Sequence, residues 1–351
     1  MINSLIFSIY IVSVLIWLQN RLFGNAEKHT IGFICVLIVY FFFAIIIGMR
    51  EVYVGSDTII YSEFFKYINI TDYYGLKQRY SFELGNIGLA MSINVISDKV
   101  SVYLVIYSLL ISLIYLYASH KIFDSQYSAL LILVILAFPF YYSMTGNVIR
   151  TGLALSIGIL SIVLYYRGKV LYSLFCSFLA LLFHASLISF VVVFLTKKIS
   201  VTKVLLIWLS SIVVGNFLTH VDFGQANYIT QKLMAYQSAA DYTDYKTGFR
   251  LDFFLFSLIP LILYTYSLIR KFNISDLYIY LLKIYLMLNV IYNLSIHMAF
   301  SDRFALLSWV LIPILVVESL RYMDSKVTDA LVLLFVPISF YYFSNNYLLV
   351  F

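Results

Sequence analysis

Charged residues are what this sequence has least of. Asp, Glu, Lys and Arg make up 11% of its 351 residues, against roughly 25% in an average soluble domain, which is too few to clothe a water-soluble surface. Cysteine is almost absent: Cys35 and Cys176 both lie inside apolar runs, far from each other and from any His at ligand spacing. That excludes a disulfide framework and a structural zinc site. No basic run of the kind that binds nucleic acid occurs, although the formal charge is +6. The chain also has no G-x-S-x-G elbow, no H-E-x-x-H, no Walker glycine loop and no D-x-D pair. Serine hydrolysis, zinc proteolysis, nucleotide hydrolysis and metal-assisted sugar transfer therefore each lose their usual mark.

What is abundant is apolar surface. Hydrophobic residues make up 63% of the chain and the mean hydropathy is +0.95. Apolar segments recur at about 2–19, 31–49, 83–97, 101–118, 128–143, 149–166, 171–195, 203–218, 251–269, 276–299, 303–320 and 329–350. Backbone groups in lipid must bond within their own segment, so these segments are read as helices. The expectation is an all-α polytopic membrane protein with about 11 to 13 membrane helices, re-entrant or half-helices included. Residues 1–351 form a single integral membrane domain in this reading, with external loops near 50–100 and 219–250. The first run, from Ile2 to Leu18, lacks a basic n-region and a small-x-small site, and is read as a retained helix rather than a signal peptide.

Basic residues gather in short loops: Arg21 and Lys28; Lys121; Arg167 and Lys169; Lys197, Lys198 and Lys203; Arg270 and Lys271; Arg321 and Lys326. The positive-inside rule places these loops in the cytoplasm. Consecutive basic loops must then be separated by an even number of crossings. Residues 83–97 are accordingly expected at the outer surface or re-entering from it. Residues 171–195, flanked by basic loops on both sides, are expected to be two half-helices meeting near His184, a break tolerated only where it lines a protein cavity. The same topology puts Arg50, Arg150, Arg250 and Arg303 at outer helix ends, along with Asp57, Glu83, His184 and Asp302. One side carries plain basic loops and the other carries arginines mixed with carboxylates, so the chemistry is expected outside.

The segment "YYSMTGNVIRTGLALSIGIL" shows the tension. An ionised guanidinium at mid-bilayer costs at least about 2.5 to 3.5 kcal/mol, and such residues face a cavity or a partner. From Asn147, positions 147, 150, 151, 154 and 158 share one helix face and are Asn, Arg, Thr, Ala and Gly. Close helix packing with a snorkelling arginine explains that face as well as an anion site does. In "MREVYVGSDTIIY", Ser56 or Asp57 fits a helix cap; Glu83 in "YSFELGNIG" fits a helix start favoured by the dipole. His184 in "LLFHASLISF" fits a satisfied structural histidine, and Asp302 with Arg303 in "HMAFSDRFALLSW" fits a local ion pair. Tyr228, Tyr236, Tyr242 and Tyr245 fit an interfacial belt or stacking platforms for sugar rings.

The order "GMREVYVGSDTIIY", "FELG", "NVIRTGLALSIGI", "LLFHAS" and "DRF", over about residues 48 to 310, resembles the EpsG family of bacterial exopolysaccharide proteins, relatives of the Wzy O-antigen polymerases. Thr151 stands where the family pattern has Gln, and His184 is followed by Ala185 and Ser186. The resemblance implies a GT-C-like glycosyltransferase at the outer face of the bacterial inner membrane. It would join undecaprenyl-diphosphate-linked oligosaccharides without a metal or other cofactor, and would have a chain-length regulator, a flippase and membrane lipid as partners. Arginines suit a departing diphosphate, because their contacts to it strengthen as charge develops. Arg150 and Arg303 come first, then Arg50. The acceptor hydroxyl needs a base or an orienting bond, for which His184, Asp57 and Glu83 remain open. A lipid-linked oligosaccharide flippase would instead carry polar residues on both sides of the midplane, and an acyltransferase using His184 as base would need a cytoplasmic cluster. A scaffold protein stays as the bland alternative, and the one-sided set of arginines counts against it.

Overall fold

The computed structural model describes residues 2–23, 26–218 and 248–347, and among these the regular structure is entirely helical. The chain separates into two compact units, Met1–Ile188 with Met323–Phe351, and Ser189–Tyr322.

The first unit opens with α1 (Ile2–Phe23) and α2 (Ala26–Gly48). Three short helices follow in the polar stretch: α3 (Thr58–Tyr67), α4 (Tyr73–Tyr80) and α5 (Leu84–Ile96). Then come α6 (Val100–His120), α7 (Ser125–Leu136), α8 (Pro139–Gly146), α9 (Ile149–Tyr166) and α10 (Val170–Phe183). At about 1.5 Å per residue, α5 reaches only about 20 Å, short of the roughly 30 Å of hydrocarbon. A helix of that length does not cross the bilayer by itself.

Two breaks shape the unit. The apolar run expected over 128–143 is two helices, α7 and α8, bent by 77°. Pro139 occupies the first turn of α8, and Phe138 before it is extended, as the residue preceding a proline prefers. The carbonyl of Leu136 left free at the bend accepts the Tyr142 hydroxyl at 2.8 Å. The second break is at His184, which ends α10 in an extended conformation (φ −157°, ψ 123°), as expected for residues 171–195.

Helices α9 and α10 form an antiparallel hairpin. Gly168 at its tip has φ +77°, a left-handed value that suits glycine. On the Gly168 side of its middle, the Ser161 and Ser173 hydroxyls each donate to the other residue's carbonyl, at 2.9 and 2.8 Å, and the Ser161 and Ser177 hydroxyls lie 2.7 Å apart. Small polar residues of this kind let membrane helices approach closely and bond across the contact. Gly48 serves the same end between α2 and α6, where an added Cβ would lie 2.5 Å from Val105 Cα.

A 3-10 turn (Ala185–Val191) carries the chain from the first unit into the second, which continues with α11 (Val192–Thr196) and α12 (Val201–Leu218). After the 219–247 stretch come α13 (Leu251–Ser257), α14 (Ile259–Ile269), α15 (Asp276–Leu294), α16 (Ser301–Trp309) and α17 (Ile312–Leu320). Its core is polar where side chains can pair. Asn289 accepts the Trp208 indole at 2.8 Å and donates to Ser308 at 2.9 Å, while Trp309 donates to Ser257 at 2.7 Å. Lys283, in the middle of α15, donates to the carbonyls of Lys197 and Ile199, tying α15 to the turn after α11. Finally α18 (Ser325–Tyr347) rejoins the first unit, where Arg21 of α1 meets Asp329 at 2.9 Å.

Among the described residues six helices are long and apolar enough to cross a membrane, or up to eight if each bent pair is one span, with five shorter apolar helices besides. The protein is an all-α polytopic membrane protein. The tyrosines expected at 228, 236, 242 and 245 lie outside the described residues.

Candidate functional site

Helix α9 starts without a side-chain cap, with Arg150 in its first turn. A cation there opposes the helix dipole and needs compensation from elsewhere in the fold. Glu83 supplies it: Arg150 Nη1 donates to Glu83 Oε2 at 2.5 Å, and both side chains retain about a fifth of their exposure. Phe82 covers the guanidinium face at 3.9 Å and Tyr61 lies at 5.9 Å, a cation-π arrangement that holds the group in place. Arg150 Nε is buried and has no hydrogen-bond partner among the described residues. The same is true of Asn86 Nδ2, one turn into α5, whose Oδ1 accepts the Tyr107 hydroxyl at 2.5 Å.

Glu83 stands at the N-cap position of α5, the helix start expected from the sequence, but its side chain does not bond the helix's own N–H groups. Its second oxygen accepts the backbone N–H of Ala185 at 3.3 Å. The approach is close because Gly85 lies against α10, where a Cβ would stand 2.7 Å from the Leu182 carbonyl oxygen. One carboxylate thus joins the start of α9 to the break after α10. At that break the ring of His184 turns back on Ser186. The Ser186 hydroxyl lies 2.7 Å from His184 Nδ1, and the Ser186 backbone N–H donates to the same nitrogen at 3.3 Å. Lower on the small-residue face, Ala154 and Gly158 are buried, so packing accounts for those positions and the polar character is confined to the upper end.

Arg50, just beyond α2, is built differently. It is 5% exposed and spends its donors on neutral oxygens. Nε and Nη2 reach Thr58 Oγ1 at 3.3 and 3.2 Å, and Nη1 reaches the carbonyls of Ile47 and Thr145 at 3.1 and 3.5 Å. Burial pushes its pKa down to about 10, which still leaves the group charged at neutral pH. Thr58 passes the link on to the Gly146 carbonyl at 3.2 Å. Beside it, Asn147 Oδ1 accepts the Asp57 backbone N–H at 3.0 Å and the Ser56 hydroxyl at 3.4 Å. Gly55 makes the turn possible with φ +83°; a Cβ there would sit 3.0 Å from Asn147 Oδ1. Asp57 begins α3 without capping it through its side chain. This clasp fixes Asn147, three residues before Arg150.

Asp302 and Arg303 stand in the first turn of α16, within the second unit. The Arg303 guanidinium lies 5.0 Å over the ring of Phe300, a residue with φ +57°. Arg250 chelates Asp252 with bonds of 2.9 and 2.5 Å. Among the described residues no three His, Cys, Asp or Glu side chains gather at metal-ligand spacing.

Of the residues expected from the sequence, the fold therefore joins Arg150, Glu83 and the His184 break into one network and places Arg50 and Asp57 in an adjoining clasp. Sequence reading misses Phe82, Asn86 and Ser186. Their only signal is adjacency to Glu83 and His184. The family model that matches this chain is that of the EpsG family, over residues 33–350. The chain belongs to the EpsG family. The match takes in every helix from α2 onward that carries the arginines and carboxylates described above, and the family is of the exopolysaccharide-polymerase type. No curated protein and no solved structure matches this EpsG-family chain.

Proposed function

We propose that this protein is a metal-independent, GT-C-type polysaccharide polymerase of the bacterial inner membrane with its site facing outward. It joins undecaprenyl-diphosphate-linked repeat units by moving a growing chain from its lipid carrier onto the terminal sugar of a fresh unit. As the glycosidic bond to the carrier breaks, its electron pair stays on the diphosphate oxygen, and the acceptor hydroxyl loses its proton as the new bond forms. The observation that carries the reading is the state of Arg150: it is oriented by Glu83 and Phe82, and its buried Nε is unpartnered. A guanidinium held in this way costs little reorganisation when charge develops on a phosphate oxygen.

Arg150 is assigned to the departing diphosphate. Arg50 is assigned to holding the turn that presents α9, because its donors already have acceptors. His184, Asp57 and Glu83 serve the acceptor side. The partners of such an enzyme are the lipid-linked oligosaccharides themselves, a flippase that delivers them and a regulator of chain length.

The test is the length profile of the host's surface glycan with Arg150→Ala at matched protein level. Collapse to carriers bearing one repeat unit is the expected result. Loss of every externally exposed unit would point to a flippase, and an unchanged ladder would reduce Arg150 to a packing residue.

A further inference from the structure

A cleft of about 280 Å³ opens where α2 ends and α6 begins. Val52, Val100 and Leu104 line it together with the nearly buried Arg50, and Glu51, Tyr53 and Ser101 supply its polar groups. Tyr53 is 80% exposed, and its ring and hydroxyl have no partner among the described residues. The exposed carboxylate of Glu51 has none there either. The turn that carries both is firmly held. Val54 N–H donates to the Glu51 carbonyl at 3.1 Å. Before the turn Arg50 is fastened to Thr58 and to the carbonyls of Ile47 and Thr145; after it the Asp57 N–H is bonded to Asn147. A ring and a carboxylate fixed in this way lose little freedom when a ligand arrives, which lowers the ordering cost of binding. The rest of the lining comes from the first turns of α6. Val100 and Leu104 share a helix face there, and no side chain caps the helix start, so its first N–H groups remain as donors beside the Ser101 hydroxyl.

We propose that this cleft is a subsite for one neutral pyranose residue of the glycan, which stacks on Tyr53 and hydrogen-bonds through its hydroxyls to Glu51 and Ser101. The proposal rests on the polymerase reading above, which brings a lipid-linked oligosaccharide to this end of the unit. The lining suits a sugar better than a phospholipid headgroup. A pyranose has an apolar face of C–H groups with partial positive charge, and the negative face of an aromatic ring attracts it. A carboxylate accepts protons from two hydroxyls at once, whereas it repels a phosphate of its own sign. Aliphatic walls with a few polar groups are the usual make-up of a small-molecule pocket, and about 280 Å³ falls just under the roughly 300–1,000 Å³ of drug-sized sites. That is room for one ring, not for a whole repeat unit. The cleft is also set apart from the breaking bond: Arg50, which lines it, reaches the Thr145 carbonyl, in the turn that leads to Arg150. Contacts made here are the same before and during bond breaking, so they act on substrate binding and not on turnover.

Two measurements on the full-length protein test this, and because Glu51 and Tyr53 are exposed their substitution leaves the packing intact. The first is saturation-transfer NMR in phosphatidylcholine nanodiscs. The probe is the lipid-free oligosaccharide of one repeat unit, cut from the host's own surface glycan. Transfer to the protons of one sugar ring is expected, lost in Tyr53→Ala and kept in Tyr53→Trp. Equal transfer in Tyr53→Ala and the unaltered protein would overturn the proposal. Transfer that disappears when phosphatidylglycerol is added to the disc would give the cleft to a lipid headgroup and overturn it as well. The second measurement is polymer formation in membranes as the concentration of lipid-linked repeat unit is varied. Tyr53→Ala and Glu51→Ala should each raise KM about tenfold and leave kcat within about twofold. A fall in kcat at unchanged KM would sink the subsite. Failure of the polymerase reading looks different: Arg150→Ala would leave glycan length unaltered, while transfer to the oligosaccharide would still depend on Tyr53.

Discussion

Arg50 and Arg150 occupy similar places, each at the end of a long apolar helix beside a polar loop, yet their surroundings are opposite. Arg50 is enclosed by neutral oxygens from three chain segments, and Nε, Nη1 and Nη2 are all engaged. Arg150 meets the Glu83 carboxylate, the ring of Phe82 and the side chain of Tyr61, and its buried Nε keeps an N–H without a partner among the described residues. The first arrangement consumes a guanidinium as a fastener, and the second presents one. Residue type is alike in the two cases; what differs is whether the protein already supplies acceptors for each donor.

The comparison can be broken by exchanging the roles. Arg150→Lys retains the charge but loses the planar fork, and polymer formation per folded molecule should fall about a hundredfold; full activity would show that charge alone suffices. Arg50→Met should act on folding instead, lowering stability by about 2–3 kcal/mol because it strands buried acceptors. Thermal unfolding in detergent measures this, and activity per folded molecule should stay within a few-fold. A loss of turnover as large as that of Arg150→Lys, at normal stability, would erase the distinction. Gly55→Ala forces a left-handed alanine against Asn147 and Gly146, and should cost about 1–2 kcal/mol by the same melt. Arg250→Ala removes a partly exposed pair with Asp252, and its melt should move by less than about 1 kcal/mol.

Much of the fold was legible because its causes are local. Apolar runs give the helices, and the parity of basic loops foretells both the short α5 and the break at His184. The bend at Pro139 was not legible from hydropathy, since apolar residues continue across it; the proline's demand on Phe138 is the signal that would have found it. Within the site, Glu83 and Arg150 were each named, but not as partners. They are 67 positions apart, and a pairing at that distance is a property of how α5 lies against α10, which one sequence does not encode visibly. Asp57 was read as a helix cap and Glu83 as a helix start; both stand at N-cap positions, and neither side chain bonds its own helix. Arg50 looked like Arg150 because a sequence gives the donor and hides the acceptors.

The serine contacts between α9 and α10 have a mechanical consequence. Arg150 stands at one tip of that hairpin and His184 at the other, on the side away from Gly168. Because Ser161 is locked to Ser173 and Ser177 on the Gly168 side of the hairpin's middle, the two arms behave as tweezers riveted near the spring. At the open end Glu83 grips both Arg150 and the Ala185 N–H, so a tilt of the hairpin carries both tips together and the jaw can be re-aimed without losing its calibre.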